Sequence, residues 1–197
     1  MRHKIGKSFV IIGIVMIVIA LAIGAVSIFN GYQAGKKSDA LGAQMMEQIG
    51  TLTPGEIPDY ILNPDMDMPT VDIDGESCIG ILEIPAIGKK LPVIDEWSYE
   101  KLRVAPCRYA GTAYKKDMIL AAHNWQAHFG LLTDLDFGDK VIFADAAGNV
   151  FNYEVVDIEI LQPTAVKEMK SGEWDLTLFT CDYSITKRIA VRCMQIK

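Results

Sequence analysis

Hydrophobic and polar positions divide the chain into three regimes. From Phe9 to Phe29 the residues run for 21 positions without a charge. At about 1.5 Å per helical residue such a run spans roughly 31 Å, the thickness of a hydrocarbon core. It is apolar on every side and too long for a buried core helix. Ala20-Leu21-Ala22 has the small-x-small form that signal peptidase accepts, yet the apolar run continues through Val26, Ile28 and Phe29. The expectation is therefore an uncleaved membrane anchor over residues 1–30, spanning through residues 9–29. Residues 31–50 keep helical spacing through Ala40, Leu41, Met45, Met46 and Ile49 and predict a short stalk helix. Residues 51–77 then carry Pro54, Pro58, Pro64 and Pro69 and seven acids without one base, which predicts an extended linker. Within it Asn63-Pro64-Asp65-Met66 offers a second reading, a lid folded back over a site.

From Cys78 onward the period shortens to that of strands. Cys78–Ile84, Met118–Ala122, Lys140–Phe143, Val150–Ile160, Leu176–Thr180 and Arg188–Ile196 are short, rich in apolar and β-branched residues, and separated by turn formers. Gly148-Asn149 reads as a hairpin turn. Short helices are expected at Ser98–Val104 and at Thr164–Met169, the latter with Thr164 as N-cap. Some 120 residues of this kind predict a mainly β domain over 78–197, a closed barrel or a sandwich.

Composition sharpens this picture. The chain has 197 residues, half of them hydrophobic, which suits one folded domain. The only bases of residues 1–30 are Arg2, Lys4 and Lys7, next to no acid at all, so the rest of the chain is strongly acidic. An acidic exterior excludes nucleic acid as a partner, because phosphate binding needs clustered Lys and Arg. The basic flank sits on the near side of the anchor and Lys36 and Lys37 on the far side; everything after about residue 31 is expected outside the cytoplasm.

The candidate chemistry is carried by few residues. Cys78, Cys107, Cys181 and Cys193 are an even set, which outside the cytoplasm invites two disulfides in any of three pairings. No C-x-x-C occurs, so neither a redox pair nor a zinc clamp is expected, and no cofactor or metal is expected. Asp134, Asp136 and Asp139 read as solvated surface acids. Cys181 ends a strand before the turn-like Asp182-Tyr183-Ser184-Ile185-Thr186 and should stand at a barrel rim. A thiol is a weak nucleophile at neutral pH until a base or a positive charge stands beside it. His123, at the end of Met118–Ala122, and Arg188, opening the strand after the turn, supply both if the three strands are neighbours.

These residues resemble a known family. Thr177-Leu178-Phe179-Thr180-Cys181 matches the T-L-x-T-C signature of sortases, membrane-anchored cysteine transpeptidases of Gram-positive bacteria. Ile119-Leu120-Ala121-Ala122-His123-Asn124 is similar to the strand end bearing their catalytic histidine. Lys187-Arg188-Ile189-Ala190-Val191-Arg192 resembles the segment bearing their essential arginine, with Arg188 at the matching position and Arg192 the weaker candidate. The chain has Ala122 where the family commonly has Gly, and a second histidine, His128, five residues after His123. If Cys181 must stay a free thiol, at most one bridge can form among Cys78, Cys107 and Cys193.

The resemblance implies an eight-stranded sortase-type β-barrel preceded by the anchor (1–30) and by stalk and linker (31–77). It implies a cell-membrane protein, single-pass, with the catalytic domain extracellular. It also implies a two-step acyl transfer. Cys181 attacks a threonine carbonyl in the sorting signal of a surface protein or pilin, and an amine of a peptidoglycan precursor or a pilin lysine resolves the thioacyl enzyme. His123 acts as acid and base, Arg188 holds substrate or oxyanion, and Thr180 lines the substrate groove. The competing classes are a cell-surface cysteine peptidase that only hydrolyses, and a non-catalytic membrane-tethered β domain that binds surface partners. Peptidases of the papain type place Cys before His, the reverse of the order here.

Overall fold

The computed structural model describes residues 2–49 and 57–196, so the last residue of the expected stalk and the opening of the expected linker, residues 51–56, lie outside the described residues. Helix α1 runs from Arg2 to Gln48, and from Val10 onward it is long and apolar enough to cross a membrane by length and composition. Its residues up to Gln33 form one compact unit, and those from Ala34 belong with the rest of the chain as a second. In that second unit the expected stalk is a packed element. Leu41 and Met45 are buried with Ile73, Cys78, Ile81, Ile94 and Ala121, because Ala34, Ser38, Leu41 and Met45 recur at helical spacing on one face.

Nine strands follow among the described residues: β1 (Val71–Ile73), β2 (Glu76–Ile84), β3 (Lys89–Ile94), β4 (Cys107–Ala110), β5 (Met118–Ala121), β6 (Lys140–Asp145), β7 (Val150–Leu161), β8 (Leu176–Cys181) and β9 (Arg188–Gln195). Eight of them close a ring in the order β2-β3-β4-β5-β8-β9-β7-β6, and the β2–β6 pair shuts it. The fold is the closed eight-stranded barrel expected, with β1 as a short addition to the start of β2. Pairs β3–β4 and β5–β8 are parallel and the others antiparallel. Closure depends on Gly80. A Cβ there would lie 2.2 Å from the Ala144 carbonyl oxygen, so only glycine lets β2 approach β6 this closely.

Alternation along the strands sends one set of side chains inward. Leu82, Ile84, Leu91, Val93, Met118, Leu120, Phe143, Tyr153, Leu178 and Val191 fill the barrel. The other set faces out and needs cover, which α1 from Ala34, the segment leading into β4, and helix α3 (Val166–Lys170) provide.

Several local expectations shift. Residues 57–77, expected as extended linker, lie against the barrel. Tyr60, in the one-turn helix α2 (Asp59–Leu62), stacks on Tyr114 at 4.6 Å, Met68 is buried, and Asp65 pairs with Lys115 at 2.9 Å. The helix expected at Ser98–Val104 narrows to a 3-10 turn at Lys101–Arg103, started by a hydrogen bond from the Lys101 N–H to Ser98 Oγ. The one expected at Thr164–Met169 begins later, at Val166, without a side-chain cap from Thr164. All four cysteines are free. Cys78 and Cys107 both pair with Ile94, from opposite sides, so two strand spacings of about 4.8 Å separate them, beyond disulfide reach. Cys193 points into the barrel.

Candidate active site

Two strand registers assemble the site. In the parallel β5–β8 pair Met118 lies beside Leu176, Ile119 beside Thr177, Leu120 beside Leu178 and Ala121 beside Phe179. The same offset continues past the strand end. The Ala122 N–H donates to the Phe179 carbonyl (3.2 Å), Thr180 Oγ1 donates to the Ala122 carbonyl (2.9 Å), and Asn124 Nδ2 donates to the Asp182 carbonyl (3.0 Å). His123 is thereby set alongside Cys181. In the antiparallel β8–β9 pair Cys181 lies directly opposite Arg188. Three residues distant in sequence therefore meet at one end of three adjacent strands.

Period two then fixes their facing. On β8, Leu176, Leu178 and Thr180 are buried on the inner side, while Phe179 and Cys181 are partly exposed on the outer side. His123, Cys181 and Arg188 line one outer cavity of about 210 Å³. Ala121 on β5 and its neighbour Phe179 on β8 are part of the lining. One wall is aromatic, where Trp97 lies 5.7 Å from Tyr99 and 5.5 Å from Tyr109, and Tyr109 meets the edge of Phe179 at 5.3 Å. Gln162, Pro163, Ala165, Val166 and Met169, from the connection between β7 and β8, complete the lining, with Met169 packed against Tyr109. Trp97 and Tyr99 are 42% and 74% exposed, so apolar surface stands open to a ligand at the mouth.

The electrostatics suit a neutral imidazole. Burial lowers the His123 pKa from 6.5, and the nearby Arg103 charge lowers it further, so the ring is a free base at neutral pH. The other three cysteines are inert by comparison, because burial raises Cys78, Cys107 and Cys193 each to about 12, while Cys181 is partly open. Arg188 is half-buried, its Nη1 donating only to the Lys187 carbonyl (3.2 Å), and no carboxylate pairs with it among the described residues. Arg192 is the reverse, fully buried and paired with Glu159 at 2.7 Å.

The loop after His123 is compact. The Trp125 carbonyl accepts from the His128 and Gly130 N–H groups, and the Phe129 N–H returns to the His123 carbonyl (3.1 Å). Trp125 lies between the two histidines, its ring 4.4 Å from His123 and 5.6 Å from His128. His128 is fully buried and does not line the cavity; burial pushes its pKa down to about 4. Thr180 borders the cavity, but its hydroxyl is committed to Ala122. Residues 57–70 do not reach the cavity, so the lid reading of Asn63–Met66 gives way to packing beside Tyr114. Among the described residues no group of three or more His, Cys, Asp or Glu could hold a metal ion.

The sortase domain family model matches residues 82–196. The chain belongs to the sortase family. Solved sortases share its fold. Sortase C from Clostridium perfringens SM101 is 24% identical over 85% of this chain and 90% of its own, with a TM-score of 0.54. Sortase C of Streptococcus pneumoniae is 22% identical over 85% and 89%, with a TM-score of 0.56. Sortase A of Listeria monocytogenes is 21% identical over 61% and 88%, with a TM-score of 0.55. No curated protein sequence matches the chain. As a sortase the protein is a transpeptidase of the cysteine type, and its apolar N-terminal helix fits a membrane-anchored member of the family.

What the sequence did not single out is the support around the site. The bonds from Asn124 to Asp182 and from Tyr183 Oη to the Gly130 carbonyl (3.2 Å) tie the histidine loop to the turn after Cys181. Asn124, next to the histidine at a strand end, was the available signal. The aromatic wall had none, because Trp97, Tyr109 and Phe179 come from three separate segments.

Proposed function

We propose that this sortase cleaves a sorting signal at a threonine carbonyl through a thioacyl intermediate on Cys181 and passes the acyl group to an amine. The observation that carries the reading is the meeting of His123, Cys181 and Arg188 along one open apolar cavity. His123 takes the thiol proton, and the Cys181 sulfur attacks the carbonyl carbon. The oxygen becomes an anion that the Arg188 guanidinium stabilises. As the C–N bond breaks, the His123 imidazolium gives its proton to the leaving amine. In the second half His123 takes a proton from the incoming amine, whose nitrogen attacks the thioester, and the C–S bond breaks to return the thiolate. Thr180 holds the β5 and β8 ends in step beside the groove, and the cavity lined by the aromatic wall and α3 receives the residues upstream of the threonine.

The donor is a surface protein or a pilin, and the acceptor an amine of a peptidoglycan precursor or a pilin lysine. The Streptococcus pneumoniae sortase C, one of the structures with this fold, is described in terms of its pilin substrate specificity, which favours the pilin arm. The barrel works outside the cell, single-pass anchored through residues 9–29. Water as acceptor gives hydrolysis, the competing outcome.

The test is turnover of a quenched-peptide library with one fixed threonine by the full chain in detergent, with and without an amine acceptor. Amine-dependent product that is absent in Cys181→Ala supports the reading. Cleavage unaffected by any amine supports a peptidase, and cleavage that survives in Cys181→Ala overturns the reading.

A further inference from the structure

Arg192 is 1% exposed, and four of its N–H groups are engaged. Nε donates to Glu159 Oε2 (2.7 Å), Nη1 to the Met169 carbonyl (2.9 Å) and to Thr177 Oγ1 (3.0 Å), and Nη2 to the Glu168 carbonyl (3.0 Å). Thr177 is its cross-strand partner on β8 and Asp157 its partner on β7. Glu168 and Met169 belong to α3, whose last carbonyls lack partners of their own helical ladder; that of Glu168 also accepts from the Ser171 N–H (3.3 Å) and Ser171 Oγ (3.0 Å).

Apart from Arg192, helix α3 is held by Met169, packed with Ile119, Ala190 and Tyr109, and by Lys170 Nζ over the Tyr109 ring at 5.3 Å. It is five residues long, has no side-chain cap, and buries only Met169. A helix so short does not persist by its own hydrogen bonds. Yet Val166 and Met169 line the cavity beside Cys181, with Met169 packed against Tyr109. This lining stands where Arg192 fixes it.

We propose that Arg192 is a positioning residue for substrate selection. By pinning the Glu168 and Met169 carbonyls it fixes α3 as one side of the cavity and so sets the affinity for the sorting peptide without touching it. This rests on the transpeptidase reading of the same cavity. Lysine in its place brings one ammonium, which cannot span two carbonyls and a carboxylate together.

The test compares Arg192→Lys and the milder Thr177→Val with the unmodified full chain in detergent, using the best-cleaved single peptide of the fixed-threonine library. Arg192→Lys is expected to raise KM at least fivefold with kcat within twofold, and Thr177→Val to shift KM in the same direction by less. Amide hydrogen exchange at residues 166–171 is expected to quicken in both, with β8 and β9 unchanged. A purely structural role would lower kcat per mole of chain at constant KM, and that result overturns the inference, as does unchanged KM. If Arg192→Lys does not fold, Thr177→Val decides. Exchange is read whether or not peptide turns over, so unaltered exchange at 166–171 overturns the α3 pin alone, whereas cleavage surviving in Cys181→Ala overturns the transpeptidase reading alone.

Discussion

Cys181 and Arg188 stand directly opposite each other as the last residue of β8 and the first of β9. The turn between them is held by the Asp182 N–H to the Lys187 carbonyl (3.1 Å) and by the Lys187 N–H to Asp182 Oδ1 (3.0 Å). Side chains at such a pair emerge on the same face, roughly 5 Å apart at Cβ. Arg192, four residues on, faces the same way but lies opposite Thr177, about 13 Å along the strand.

Replacing Arg188 by Lys keeps the charge and loses the planar fork that can hold two oxygens. We expect kcat/KM for a sorting peptide to fall tenfold or more, equivalent to at least about 1.4 kcal/mol of transition-state binding, with the thermal midpoint unchanged. Steady-state kinetics with parallel calorimetry checks this, and an unaltered kcat/KM would remove Arg188 from the site.

Thr180→Val deletes the hydroxyl that bonds the Ala122 carbonyl and leaves that buried acceptor short of a donor. The expected cost is about 1 kcal/mol of stability, with a lower kcat and little change in KM, because the change loosens His123 against Cys181. A selective rise in KM would instead make the Thr180 side chain a peptide contact.

His128 makes the fold sensitive to acid. The unfolded chain takes up a proton on this ring near pH 6.5, the folded protein only near 4, so stability is lost as pH falls through that window. Between pH 7 and 5 the loss from this group is about 2 kcal/mol. Urea unfolding at both pH values should show His128→Met losing that much less than the unmodified chain. An equal loss in both would mean that the ring finds a proton acceptor in the folded state.

The long apolar helix, the barrel and the three residues that line one cavity could be read from the chain because each leaves a local mark. The marks are an uncharged run, short β-branched segments, and a strand-end Cys, His and Arg. Strand β3 was not readable because Lys89, Lys90 and Pro92 interrupt it, and at Pro92 it is paired only with β2, since β4 joins it only at Ile94. β4 was hidden by its length of four residues, and β1 by the prolines and acids just before it. The packing of residues 57–77 escaped for a different reason. Proline and like charges describe what a segment does alone, whereas Tyr60 and Met68 are held by surfaces of Tyr114 and the barrel core that no local window contains. Arg192 could be placed away from the nucleophile by strand arithmetic, but its partners on α3 and β7 become visible only in three dimensions.

The central claim is that Cys181 is the sulfur that carries the acyl group. Intact-mass analysis of the full chain, quenched in acid within seconds of mixing with a cleavable sorting peptide and no amine, tests it most directly. The account predicts one added acyl fragment, lost on treatment with hydroxylamine, mapped to Cys181 and absent in Cys181→Ala, while Cys78, Cys107 and Cys193 stay unmodified. An adduct on another residue, or peptide cleavage with no adduct on Cys181 at any time point, would contradict it.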